Sequence, residues 1–271
     1  MPKIKANGIN IFYELHGPDD APVLVLSNGI MMSSAAWANQ TSVLSKYLRV
    51  LVYDCRGMWQ SDHPAGPYSM EMHADDLAAL LDELEIPQAH IAGISYGSEI
   101  SMMFALKYPQ KTQSLIVIDG VSQVDPLLKA QTYPWLMAAK QQDAELLLRT
   151  SYHMNFSEEW IVKNQSFIDA SAAHYAEMDM PSFVEMMYSF YQLNITDRLT
   201  EITAPTLIVV GEKDLIKGRG YSEILASRIQ NSEFVIIPES GHALCLEKPH
   251  ELNTLLLGFV NKHMKTDKGG S

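Results

Sequence analysis

The sequence predicts an α/β fold: a mostly parallel, twisted sheet with helices on both faces. Six short β-branched runs are apolar almost throughout, as strands buried on both sides require: Val23 to Leu26, Val50 to Tyr53, Ile91 to Ser95, Ser114 to Ile118, Thr206 to Val210 and Phe234 to Ile237. Helical patterns separate them, which is the signature of parallel crossovers. The alternation then stops after Asp119-Gly120, and from Val121 to about Asn194 the chain is helical in character and rich in Met and aromatic residues. Such an insertion before the last two strands reads as a helical cap over the carboxyl ends of the sheet, where ligands bind in these folds. The expected organisation is a core of 1–120 and 205–264, a cap of 121–204 and a flexible tail of 265–271.

Each element has its own local reason. Ile9 to Leu15 reads as an antiparallel edge strand closed by the turn Gly17-Pro18-Asp19-Asp20. Ser69 is a plausible N-cap; Glu71 suits the first turn after it, and Leu77, Leu80, Leu81 and Leu84 form a buried stripe that ends before Pro87. A helix from Ser98 to Leu106 follows the strand Ile91 to Ser95 directly. Pro205 introduces the strand that resumes the sheet after the cap.

Composition narrows the function. With Lys+Arg 20 against Asp+Glu 32, the formal charge of -12 argues against nucleic acid or an anionic membrane as partner, since phosphate binding needs clustered cations. No apolar stretch reaches the roughly 18 residues of a membrane span, and the N-terminus lacks a secretory h-region, so a cytoplasmic location is expected. Cys55 and Cys245 match no zinc or redox spacing and are expected to stay reduced. Homo-oligomerisation is left open.

The centre of the chemistry is Gly93-Ile94-Ser95-Tyr96-Gly97, at the join of a strand and a helix. A strand turning straight into a helix strains the residue at the bend, and small neighbours let the two backbones approach. The bend lifts the Ser95 hydroxyl above the sheet and leaves the Tyr96 N–H at the positive end of the new helix. A hydroxyl is a weak nucleophile, so it needs a base and an orienting acid, in the chain order Ser, acid, His. Asp214, just past the strand Thr206 to Val210, and His242, just past Phe234 to Ile237, stand where these are expected. Glu212 and Asp119 are rival acids; an aspartate placed like Asp119 more often ties down a loop.

On these motifs the chain, from about Ile4 to His263, resembles the α/β-hydrolase fold family in its cap-bearing esterase, lactonase and C–C hydrolase branch. Asn28-Gly29 to Trp37, Asp54-Cys55-Arg56-Gly57 with Ser61-Asp62, Gly211 to Asp214 and Gly241-His242 carry the rest of the likeness. The resemblance implies that Ile30 supplies the second oxyanion N–H beside that of Tyr96, and it places Asn28 where the family usually has histidine. Asn at this point is similar to enol-lactonases of the 3-oxoadipate type and to some hydroxyalkanoyl-transferring relatives. Met32, Trp59 and Ser98 stand where the family often has glycine. Asn28, Gly29, Met31, Trp59 and Trp135 are the expected substrate contacts.

The implied chemistry is acyl transfer by Ser95, His242 and Asp214 on a small to medium, largely apolar ester or lactone, with no cofactor and no metal. Trp135, Met154, Trp160, Met178, Met180, Met186, Met187 and Tyr188 suggest an apolar lid, and Arg149 is the lone cap arginine before Arg198, which favours a neutral substrate. An acyltransferase or C–C bond hydrolase would use the same triad. A non-catalytic small-molecule receptor on this fold is the reading from a different class.

Overall fold

A computed structural model describes residues 2–264, so the expected tail of 265–271 lies outside the described residues. The chain begins with a hairpin, β1 (Lys3–Ala6) and β2 (Ile9–His16), then alternates: β3 (Val23–Ser27), α1 (Ala38–Leu44), β4 (Arg49–Tyr53), α2 (Met70–Glu83), β5 (Ala89–Ile94), α3 (Tyr96–Lys107) and β6 (Thr112–Ile118). Five helices follow without a strand: α4 (Pro126–Lys140), α5 (Ala144–Asn155), α6 (Glu158–Lys163), α7 (Gln165–Ala176) and α8 (Met180–Tyr191). Then come β7 (Thr206–Gly211), α9 (Arg219–Arg228), β8 (Ser232–Ile237), α10 (Leu244–Glu247) and α11 (Pro249–Lys262). The eight strands form one sheet in the order β1-β2-β4-β3-β5-β6-β7-β8, parallel except at the β1-β2 and β2-β4 pairs.

The continuous apolar runs are explained by two cores, one on each face. Val25, Leu51, Ile91, Leu115, Val117 and Ile208 pack toward α2, α3 and the inserted helices. Their sequence neighbours Leu24, Leu26, Val50, Val52, Ala92, Ile116 and Ile118 pack toward Trp37, Leu44, Leu252 and Leu256 on the other side. Successive residues of a strand point to opposite faces, so both sets must be apolar. The helix entered at Ser69 forms as expected: its hydroxyl accepts the Met72 N–H at 3.1 Å, and Leu77, Leu80 and Leu81 are wholly buried.

One expectation is corrected. Ile9–His16 is not the sheet edge, because β1 pairs outside it with Lys3 opposite Phe12 and Ala6 opposite Ile9. The β1-β2 turn is Asn7-Gly8, both at positive φ (45° and 82°), a dipeptide that marks tight hairpins where it is flanked by alternating apolar residues, while the expected turn at Gly17 to Asp20 follows β2, with Ala21 N–H on Pro18 O at 3.3 Å.

The inserted helices carry their own start signals. Asp125, Asp143 and Asp179 each accept an N–H three residues on at 2.8 Å, which holds the first turns of α4, α5 and α8 and stabilises each by about 1 kcal/mol. The two chain segments leaving and re-entering the sheet are bonded to each other, Ile195 N–H to Ser122 O at 2.8 Å and Val124 N–H to Leu193 O at 3.2 Å. The insertion therefore rises from the sheet on a short two-stranded stalk.

Candidate active site

The sheet brings four chemical side chains to one end. Ser95, Asp119, Asp214 and His242 follow β5, β6, β7 and β8, which are neighbours in that order, so all four emerge at the carboxyl edge beneath the inserted helices.

Ser95 is the bend itself, with φ 55° and ψ -119°, a conformation that only a surrounding structure can impose on a residue bearing a Cβ. Its N–H is held by Ile118 O at 2.9 Å, and Ser98 N–H returns to Ser95 O at 2.9 Å. The flanking glycines are obligatory for close approach. A Cβ on Gly93 would lie 2.1 Å from Gly97 O, and one on Gly97 would lie 2.1 Å from Ser27 O. Ser98, where a glycine was expected, fits because its hydroxyl is used: it lies 2.6 Å from Gly93 O and accepts the Ile118 N–H at 3.0 Å, stitching α3 to β5 and β6.

His242 and Asp214 are a buried pair. The imidazole Nδ1 lies 2.8 Å from Asp214 Oδ2, while Asp214 Oδ1 accepts the N–H groups of Ile216 at 2.8 Å and Lys217 at 2.9 Å. Burial alone would raise the Asp214 carboxyl, but the facing His242 and these N–H donors outweigh it and hold the group below the ordinary carboxylate value.

The rival acids do other work. Glu212 accepts the Glu239 N–H at 2.9 Å on an exposed loop. Asp119 Oδ1 accepts the Gly211 N–H at 2.9 Å, while Oδ2 is buried without a hydrogen-bond partner among the described residues. Its acid group lies with Asp214 and His242 in a cluster whose nearest ligand atoms are within 4.8 Å of one another. Burial, followed by the Asp214 charge, pushes the Asp119 carboxyl well above its usual value. Such a carboxyl holds its proton more tightly folded than unfolded, where it titrates near pH 4, so the contribution of Asp119 to stability falls as pH rises above about 4. Asp119→Asn keeps the acceptor for Gly211 without titrating. It is expected to gain on the wild type by up to about 1.4 kcal/mol per pH unit above about pH 4, until Asp119 itself ionises. Urea unfolding of both proteins at pH 5 and pH 7 measures this, and a difference that does not change with pH refutes it.

Across from Ser95 the loop after β3 is pinned from behind. Asp54 Oδ1 accepts the Ser34 N–H at 2.7 Å, and Asn28 Oδ1 accepts the Trp37 indole N–H at 2.9 Å. Among the described residues the backbone N–H groups of Ile30 and Tyr96 have no acceptor, and both residues line cavities that also touch Ser95. The first of these cavities, about 160 Å³, is walled by Gly29, Ile30, Met31, Ser95, Trp135 and His242, with Phe156, Ile168 and Tyr175 above.

Two expected substrate contacts are corrected. Asn28 is fully buried behind the cavity wall, its side chain committed to Trp37 and Asp54. Trp59 lines a separate small cavity and stacks on His174 at 3.8 Å, so it backs a wall residue instead of forming the wall. Of the eight cap residues singled out, Trp135 borders the main cavity and Met187 a smaller one beside Ser95, and the other main walls come from Leu148, Tyr152, Phe156, Phe167, Ile168, His174 and Tyr175 of α5, α7 and the segment between. Arg149 is exposed and paired with Glu145 at 2.7 Å, away from it. Cys55 and Cys245 are free and buried, and burial pushes both thiols up to about 12.

Sequence reasoning overlooked Glu247. This carboxylate accepts the N–H of Gly241 at 3.0 Å and of Ser157 at 3.1 Å, together with the Ser157 hydroxyl. Beside it, Ala243 N–H bonds Asn155 O at 2.8 Å. The loop bearing His242 is thereby fastened to the α5-α6 corner of the inserted helices.

Comparison with known proteins agrees with this architecture. A family model described as the alpha/beta hydrolase fold matches residues 22–249. The candidate carbamate hydrolase RutD of Stutzerimonas stutzeri is 31% identical over 92% of this chain and 96% of its own. MGS-M2, an alpha/beta hydrolase enzyme from a Medee basin deep-sea metagenome library, superposes with a TM-score of 0.92 at 28% identity, over 99% of this chain and all of that one (100%). Est816, an enzyme that degrades N-acyl homoserine lactones, superposes with a TM-score of 0.83 at 28% identity, over 96% of this chain and 100% of its own. Among the described residues no helix is long and apolar enough to cross a membrane.

Proposed function

The chain belongs to the α/β-hydrolase fold family, and from that premise we propose that it is a serine hydrolase of small to medium, largely apolar carboxylic esters or lactones. The observation that carries this reading is that Ser95 and His242 share the wall of one apolar cavity, with His242 bonded to the buried Asp214. The names of its relatives support the same chemistry at an ester-like carbonyl, carbamates included.

In this mechanism Ser95 Oγ attacks the carbonyl carbon while His242 Nε2 takes the hydroxyl proton, and Asp214 fixes the imidazole tautomer and stabilises the imidazolium. The oxyanion is met by the free N–H groups of Ile30 and Tyr96; losing one such donor costs about 3 kcal/mol of transition-state stabilisation. The tetrahedral intermediate collapses, the C–O bond to the alcohol breaks, and the alkoxide leaves with the proton from His242. Water then gives a proton to His242 and its oxygen to the acyl carbon, which releases the acid and restores Ser95.

The test is a p-nitrophenyl ester and lactone panel of graded acyl length, with carbamates added, run beside labelling by a fluorophosphonate. Turnover and one label, located by mass spectrometry on the peptide containing Ser95, are expected. A folded protein that neither turns over nor labels overturns the proposal.

A further inference from the structure

A second, smaller cavity also touches Ser95. It is bounded by Ile30, Ser95, Tyr96, Trp135, Phe190 and Lys217, and its volume of about 20 Å³ is room for one water-sized group. Ser95 and both proposed oxyanion residues border it, so whatever enters it lies next to a carbonyl held on Ser95.

Its wall contains a buried cation. Lys217 and Glu99 have 3% and 0% side-chain exposure, with Nζ 2.7 Å from Glu99 Oε2. Glu99 lies in the first turn of α3 and gives its other oxygen to the Val121 N–H at 2.9 Å. The Lys217 ammonium also faces the Phe190 ring at 4.8 Å, and Phe190 borders the same cavity. An ammonium carries three N–H donors, and one hydrogen bond and one ring face leave it a donor to spare. The other hydroxyl-bearing residues of this wall are already engaged: Thr132 Oγ1 donates to Leu128 O at 2.9 Å, and the Tyr96 hydroxyl lies 2.9 Å from His73 Nε2. Stability alone does not call for the pair, since well-packed apolar residues replace buried ion pairs at little or no loss.

Resting on the serine hydrolase reading, we propose that this cavity is a subsite for a neutral, hydrogen-bond-accepting oxygen carried by the acyl group close to its carbonyl, and that Lys217 is the specificity-determining residue that reads it. The oxygen is neutral because Glu99 already balances the lysine charge and Asp214 is ionised nearby, so a carboxylate there would be an uncompensated buried anion. The oxygen is a keto or hydroxyl group, since one water-sized space leaves no room for a carbon beyond it.

The experiment compares isosteric p-nitrophenyl esters that differ by one CH₃ replaced with OH: hydroxyacetate against propanoate, and 3-hydroxypropanoate against butanoate. Each kcat/KM is divided by the rate of alkaline hydrolysis to remove intrinsic reactivity. The wild type is expected to favour one oxygen-bearing ester of these pairs by roughly tenfold to a hundredfold. Lys217→Met, and Lys217→Met with Glu99→Gln so that no lone charge stays buried, are expected to bring that ratio to about one. A wild type without the preference overturns the subsite, and needs no variant to fold. A preference retained in the folded double variant, an equal fall on every ester, or a better rate on the monosuccinyl ester than on the hydroxy esters also overturns it. Absence of turnover on all esters, with no fluorophosphonate label, instead overturns the hydrolase reading and the subsite with it.

Discussion

Ser95→Ala is expected to lower kcat on the preferred ester by on the order of 10⁶-fold and to abolish fluorophosphonate labelling. The loss is that large because the nucleophile, base and acid act as a unit, and without Oγ the other two have no proton to move. The same substitution should leave stability within about 0.5 kcal/mol of wild type. Alanine has the same Cβ in the same strained backbone, and among the described residues the Ser95 hydroxyl makes no hydrogen bond. Steady-state kinetics beside urea unfolding separates the two quantities. Substantial turnover in a variant of unchanged stability would move the nucleophile elsewhere.

The second largest effect is expected from Asp214→Asn, a loss of about 10⁴-fold in kcat with little change in KM. An amide can present an N–H to the His242 Nδ1 that now faces a carboxylate oxygen at 2.8 Å, which would select the tautomer with its proton on Nε2. That tautomer cannot accept the Ser95 proton. Asp119→Asn on the same assay is the control. Asp119 binds the loop through the Gly211 N–H, an acceptor role that the amide keeps, so activity within a few fold of wild type is expected. If Asp119→Asn proves the more damaging of the two, the acid has been assigned to the wrong strand.

The parts of the site legible in the sequence are those dictated by backbone geometry. Ser95 could be read because a strand-to-helix bend needs glycine on both sides, and Asp214 and His242 because each follows a buried apolar run. The β1-β2 hairpin was equally legible in Asn7-Gly8, whose alternating flanks Lys3-Ile4-Lys5-Ala6 and Ile9-Asn10-Ile11 name it. The cavity wall was not legible. Helix periodicity tells that Met186 and Met187 are buried and that Leu148 and Ile168 are buried too. It does not tell which of them face the sheet and which face empty space, since that depends on how five helices pack. Asn28 misled for the opposite reason: its place beside the oxyanion loop is right, but its amide is turned away to hold Trp37 and Asp54.

The Glu247 clamp makes the placement of the base conditional. Lifting the α5-α6 corner must break the contacts that Ser157 and Asn155 make with Glu247 and Ala243, and these fasten the loop on which His242 rides. The corner that walls the cavity and the loop that carries His242 are thus one mechanical piece, joined by a single carboxylate and one backbone hydrogen bond.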